Sequence, residues 1–204
     1  MHEITIPPNG FLEVKTRLFF HTNYLGYRKP GNPDYINVLK NTYNDLSSGV
    51  LNGAVSDLAR ILSDDLPEIQ KILRLINLTV CMVPRAKAET NYAPNQLLFK
   101  STIRMVIPRI AGMSDGLDYI IRHINTKTTH LPPNTPNYNN DGDRPYPGIT
   151  IDSWIIDNAV NGRDILLVDD LYTSGVNIDE DAIQALLDNG ARSVVLYTIG
   201  CKSR

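Results

Sequence analysis

Three stretches of this chain are almost wholly apolar and too short to be anything but buried strands or fragments of helix. Residues 78–83 (LTVCMV), 164–170 (DILLVDD) and 193–199 (SVVLYTI) carry β-branched members and end at a proline, an acidic pair or a terminus. A continuous apolar run of this length is how a strand covered on both faces reads. Between the last two runs, Ile178, Ala182, Ala185 and Leu186 recur at helical spacing within residues 176–189, and Gly190 follows as a stop. Strand, helix, strand over residues 165–199 is a βαβ unit, which predicts a parallel sheet with a right-handed crossover. In such sheets ligands sit beyond the carboxyl ends of the strands.

The rest of the pattern is less regular. Residues 11–20 (FLEVKTRLFF) alternate enough to predict a strand, and residues 21–35 are turn-rich. From Asn37 the period becomes helical, with Val38, Leu39 and Leu46, then Val50, Leu51, Ala54, Val55, Leu58, Ala59, Ile61 and Leu62. Ser47-Ser48-Gly49 predicts a break into two helices, and Pro67 predicts the first turn of a further short helix ending near Ile76. Residues 96–110 fit a helix stopped near Pro108, though not uniquely. Residues 117–124 fit a short helix or a strand, and residues 149–160 read as helical. Residues 132–148 hold five of the 13 prolines and no aliphatic side chain. A loop that long inside a compact domain predicts a functional lid or a disordered segment.

Composition adds boundaries. With 204 residues, 42% hydrophobic and 21% charged, the chain has the make-up of one globular domain. No apolar run approaches a membrane span, and the first residues lack the basic and apolar regions of a signal peptide. A net charge of −2 argues against gripping nucleic acid by bulk electrostatics. Cys81 and Cys201 are too few for a disulfide framework or a four-cysteine zinc site. Cys81 is expected buried and Cys201 exposed, in a protein of the reducing cytoplasm.

Two strand ends carry the chemistry. Residues 165–177 (ILLVDDLYTSGVN) bring two adjacent carboxylates, Asp169 and Asp170, to the end of a strand, and Thr173, Ser174, Gly175, Val176 and Asn177 then open a helix. Small hydroxyl residues and a glycine let backbone N–H groups turn inward at a helix N-terminus, which is a phosphate cradle. Carboxylates at its rim suit the vicinal hydroxyls of a sugar. The reading as the magnesium strand of a nucleotide triphosphatase needs a Gly-Lys pair upstream, and the chain has none. At the other strand end, Pro84, Arg85, Ala86 and Lys87 form a basic turn, with a planar fork and a mobile point charge for phosphate oxygens.

The segment at residues 165–177 resembles the phosphoribosyl pyrophosphate (PRPP) signature of type I phosphoribosyltransferases: four hydrophobics, two acids, two variable residues, then Thr/Ser-Thr/Ser-Gly. Val-Pro-Arg-x-Lys is similar to the pyrophosphate loop of that family. A weaker likeness to the ComF-like branch takes in residues 38–62 and 120–131, without that branch's zinc knuckle. The resemblance implies an α/β fold, a parallel β-sheet flanked by helices with a Rossmann-like core. Residues 1–77 would form a variable hood and residues 78–204 the core, in one domain. It implies that Asp169 and Asp170 contact ribose hydroxyls, that Thr173 to Asn177 bind the 5′-phosphate and that Arg85 and Lys87 bind pyrophosphate.

Electrostatics then call for Mg2+, because two carboxylates beside a diphosphate repel it by about 4 kcal/mol per unit-charge pair at ~4 Å and an effective dielectric near ~20. The ion would arrive with the substrate and meet Asp169 and Asp170 indirectly, through ribose and pyrophosphate oxygens. The expected activity is transfer of the phosphoribosyl group to or from a nitrogen acceptor, a small molecule such as a nucleobase, with a homodimer as the expected assembly. The rival is a non-catalytic sensor of PRPP or a nucleotide. Thr173 stands where 6-oxopurine transferases have an aspartate serving the base, which disfavours those purines. His123 and His130 are candidates for acid/base work, and Lys127 for a charge carried over the pyrophosphate by a lid at residues 132–148.

Overall fold

Apolar runs long enough to be covered on both faces need helices above and below them, and that is how the chain folds. The computed structural model describes residues 1–128, 131, 138–144 and 148–202. A central sheet contains β1 (His2–Ile6), β2 (Thr16–Asn23), β3 (Leu78–Met82), β4 (Met113–Asp115), β7 (Asp164–Thr173) and β8 (Ser193–Lys202). Its order is β1-β2-β8-β7-β3-β4, and every neighbouring pair is parallel except β1 with β2. The architecture is thus α/β, with a mostly parallel six-stranded sheet flanked by helices, compatible with a Rossmann-like core.

The two-residue period of a strand divides the apolar runs between two cores. Val80, Leu166, Val168, Val195, Tyr197 and Ile199 face a cluster completed by α1 (Tyr35–Lys40), α2 (Ser48–Leu73) and α3 (Leu98–Val106). Cys81, Val83, Ile165, Leu167, Val194 and Leu196 face a second cluster completed by α5 (Ile178–Asp188) and by Ile120 and Trp154. The latter two belong to a hairpin of β5 (Ile120–Arg122) and β6 (Trp154–Ile156), which pair antiparallel. A five-residue helix, α4 (Ile149–Ser153), leads into β6. Residues 1–77 supply two strands of the sheet and share the first core with the rest of the chain.

Several elements depart from expectation for identifiable reasons. β1 was not anticipated; four of its five residues are exposed, so it carries no hydrophobic signal. β2 starts at Thr16, leaving Phe11 and Leu12 in the preceding turn. Pro67 does not begin a helix but lies inside the 26-residue α2. A proline there forfeits one intrahelical N–H bond, while Leu66 and Ile69 on either side remain fully buried and hold the helix on the sheet. Residues 149–160 are not one helix: Trp154, 4% exposed, is drawn into the second core as a strand residue opposite Arg122. β7 continues past Asp170 to Thr173, because β8 continues beside it to Lys202. For the same reason Cys201 is buried, at 2% exposure, against the expectation that it is exposed.

The strand order fixes where a crevice can form. From β3 the chain passes to β4 on one side, and from its neighbour β7 it passes to β8 on the other. The connections therefore leave the carboxyl edge in opposite directions between β3 and β7, the geometry of a topological switch point. Among the described residues no helix is long and apolar enough to cross a membrane.

Candidate functional site

β3 and β7 are direct neighbours, with Met82 opposite Val168 and the Val83 N–H donating to the Val168 carbonyl at 3.0 Å. Pro84, Arg85, Ala86 and Lys87 therefore leave the sheet alongside Asp169 and Asp170. The two segments singled out in the sequence, 85 residues apart counted from Pro84 to Asp169, meet at the switch point.

On the β3 side the basic side chains are already engaged. The Arg85 guanidinium donates to the Gln96 carbonyl and lies 4.2 Å from the centroid of the Tyr92 ring. The Lys87 ammonium is buried, donates to the Asp141 carbonyl at 2.7 Å and is paired with the Asp141 carboxylate. Both cations thus hold protein oxygens rather than open solution. Residues 125 and 126 brace the same turn: Asn125 accepts from the Ala88 N–H at 2.9 Å, and the Thr126 N–H donates to the Ala86 carbonyl at 2.7 Å.

The β7 side is crowded with acid. Asp169 Oδ1 accepts the Asp170 N–H at 2.7 Å, and the buried Asp179 carboxyl interacts electrostatically with Asp169. Burial, and then the charge of Asp170, push the Asp169 carboxyl up to about 7. Burial, and then the charge of Asp169, push Asp179 well above the carboxylate range. A proton shared between the two is the physical consequence. Asp170 is answered by Lys40, the last residue of α1, at 3.1 Å. Burial works against the Lys40 charge, but the ion pair and hydrogen bond to Asp170, with Asp169 behind it, hold its pKa above the ordinary value.

Beyond β7, Gly175 has φ +82° and Asn177 φ +64°, and the Val176 N–H closes a turn on the Thr173 carbonyl at 3.1 Å. Ser174 and Gly175 are exposed. The loop delivers the chain to the N-terminus of α5, whose first N–H groups lack intrahelical partners. The first turn of α5 also holds three buried acids, each aimed elsewhere. Asp179 meets Asp169, Glu180 accepts from the Tyr172 hydroxyl at 2.9 Å, and Asp181 accepts from the Gly148 and Thr150 N–H groups at 2.8 and 3.0 Å. They complement the helix dipole and compete with any anion that approaches it.

The remaining expected residues fall as follows. The Lys127 N–H is bonded to the Asp143 carbonyl at 2.9 Å, so its backbone is docked on the far arm of the loop. His123 is exposed. His130, and residues 132–137 and 145–147 of the expected lid, lie outside the described residues. Residues 138–144 pack against 125–128, with Asn140 accepting the Thr128 N–H at 2.7 Å. Gly142, at φ +90°, is needed there, because a Cβ would stand 2.3 Å from the Asn125 carbonyl oxygen.

Lys40, Asp179, Gln96, Asp141 and Arg122 belong to this neighbourhood and were not singled out from the sequence. Each reaches it through tertiary packing, which one-dimensional spacing does not encode. A cavity of about 240 Å³ touches Ser174 at the end of β7, between that loop and β1. Among the described residues no group of three or more His, Cys, Asp or Glu side chains is set to hold a metal ion. No protein-family model matches the chain, and no curated protein does.

Proposed function

We propose that this chain is a magnesium-dependent phosphoribosyltransferase of the type I fold. It takes the 5-phosphoribosyl group of PRPP to a nitrogen acceptor, with release of pyrophosphate. The observation that carries the reading is the meeting of the basic turn after β3 with the acidic pair and glycine loop after β7, at the point where the strand order reverses.

In this reading Asp169 and Asp170 accept hydrogen bonds from the ribose hydroxyls, and Thr173 to Asn177 with the first N–H groups of α5 hold the 5′-phosphate. Arg85 and Lys87 exchange the Gln96 carbonyl and Asp141 for pyrophosphate oxygens. Lys40 offsets part of the charge on Asp170. The protein supplies position and charge rather than a covalent nucleophile. The donors fit Mg2+: Asp169 and Asp170 offer hard carboxylate oxygens, the ligand type that Mg2+ takes in ones and twos alongside substrate phosphates. When bound, Mg2+ would neutralise charge on the departing pyrophosphate, with Asp169 and Asp170 the residues nearest to it.

Incubation with PRPP, Mg2+ and a panel of nucleobases, following pyrophosphate release, tests the reading. Release that depends on one base and is lost in Asp169→Asn supports it. Tight PRPP binding without release on any base favours the sensor instead.

A further inference from the structure

Arg122 is a buried guanidinium without an ion-pair partner among the described residues. It is 6% exposed, its Nε donates to the Arg85 carbonyl at 2.6 Å, its Nη1 donates to the Ser153 hydroxyl at 2.8 Å, and it lies 5.4 Å from the centroid of the Trp154 ring. Among the described residues no carboxylate forms an ion pair with it. Burial pulls its pKa down to about 10, with Tyr92 and Asp181 acting in the opposite direction. Burying a charge without a counter-charge is costly, and the hairpin could be tied to the β3 turn by a neutral side chain. The location of its main bond therefore needs explaining.

That bond falls on one peptide of the basic turn. In a trans peptide the carbonyl and the N–H of the next residue point in opposite directions. Holding the Arg85 carbonyl toward β5 turns the Ala86 N–H away from it. The neighbouring peptide is pinned at both ends, with the Ala86 carbonyl taken by Thr126 and the Lys87 N–H donating to the Tyr92 hydroxyl at 3.1 Å. The Ala86 N–H, by contrast, has no hydrogen-bond partner among the described residues. An Arg can hold the Arg85 carbonyl and Ser153 together with its planar fork, which a Lys cannot.

We propose that Arg122 is a positioning residue that presets the Arg85–Ala86 peptide, so that the Ala86 N–H is open to a phosphate oxygen of a diphosphate ligand. This rests on the pyrophosphate reading of the β3 turn given above. The cation also sits one peptide behind that donor, where its charge favours an anion on the far side.

The test uses inorganic pyrophosphate with Mg2+ and, as an internal control, ribose 5-phosphate. In the wild-type protein the Ala86 amide, followed by NMR hydrogen exchange, becomes protected on adding pyrophosphate and not on adding ribose 5-phosphate. Arg122→Lys loses about tenfold in pyrophosphate affinity and keeps its ribose 5-phosphate affinity. Methylguanidinium restores part of the loss in Arg122→Ala. An Ala86 amide indifferent to pyrophosphate, or an Arg122→Lys variant that binds it as the wild type does, overturns the inference while leaving the functional reading intact. A wild-type protein that binds no pyrophosphate overturns both.

Discussion

The ends of β3 and β7 are adjacent strands' ends in one sheet, yet they are built on opposite electrostatic plans. At the end of β3 the charges are cations, and each is held by an oxygen of the protein: Arg85 by the Gln96 carbonyl, Lys87 by Asp141. At the end of β7 the charges are acids, gathered more densely than cations answer them. Of Asp169, Asp170, Asp179, Glu180 and Asp181, Asp170 is the one in an ion pair, with Lys40, while Glu180 meets the Tyr172 hydroxyl and Asp181 the Gly148 and Thr150 N–H groups. The ligand proposed to match both is anionic at one end and rich in hydroxyls at the other. The difference also shows where the proposed match is poorest, at the start of α5, whose first turn is already acidic.

Variants that break this contrast differ in the size of effect expected. The largest is Gly175→Val. A β-branched residue at φ +82° is strongly disfavoured, and strain of about 1–3 kcal/mol together with a Cβ in the loop lowers ribose 5-phosphate affinity by about 10- to 100-fold. Calorimetry with ribose 5-phosphate measures it; unchanged affinity means that the phosphate is held elsewhere. Next is Lys40→Met. Removing the cation leaves a part-buried Asp170 unanswered, at a cost of about 1–3 kcal/mol in stability. The double variant Lys40→Met/Asp170→Asn should recover part of that loss in urea unfolding. Additive losses would show that the pair is not coupled.

The pairing of Asp169 with Asp179 makes a prediction about pH. Raised folded-state values mean that the native protein holds protons that the unfolded chain releases above its ordinary value near 3.8. The pair's contribution to stability is therefore greatest at or below about pH 4, falls as pH rises through the Asp169 value of about 7, and levels off only once Asp179 has also lost its proton. Asp179→Asn, which mimics the protonated acid, should match the wild type near pH 4 and exceed it increasingly up to pH 7 in thermal melts. Parallel curves for the two proteins would contradict the shared proton. The smallest effect is expected from Asp141→Asn. A half-exposed partner contributes about 0–1 kcal/mol, so freeing Lys87 should tighten pyrophosphate binding by up to about fivefold, and weakened binding would argue that Asp141 positions Lys87 instead of occupying it.

The contrast was half legible in the sequence. The runs that became β3, β7 and β8 could be read because both of their faces are covered, so every position had to be apolar. β1 could not, since it is an exposed edge, and residues 149–160 misled because Trp154 joins a core through the hairpin with β5 rather than through its own period. The chemistry divides in the same way. Arg85 and Lys87 stand just beyond β3, and Asp169 and Asp170 stand in the last half of β7, Asp170 three residues before its end at Thr173, where local pattern and position nearly coincide. Lys40, Asp179 and Arg122 act on those residues from other elements, and their partners are set by packing. Cys201 lies near the C-terminus, where exposure is the usual expectation, yet β8 carries it between β2 and β7.

The claim that one ligand bridges the two strand ends is tested most directly by titrating PRPP, ribose 5-phosphate and pyrophosphate, each with Mg2+, into the wild type, Arg85→Ala and Asp170→Asn. The expected result is a crossed pattern. Arg85→Ala loses about tenfold for PRPP and pyrophosphate but not for ribose 5-phosphate, and Asp170→Asn loses about tenfold for PRPP and ribose 5-phosphate but not for pyrophosphate. A wild-type protein that binds no PRPP, or two variants that bind all three ligands as the wild type does, would contradict it.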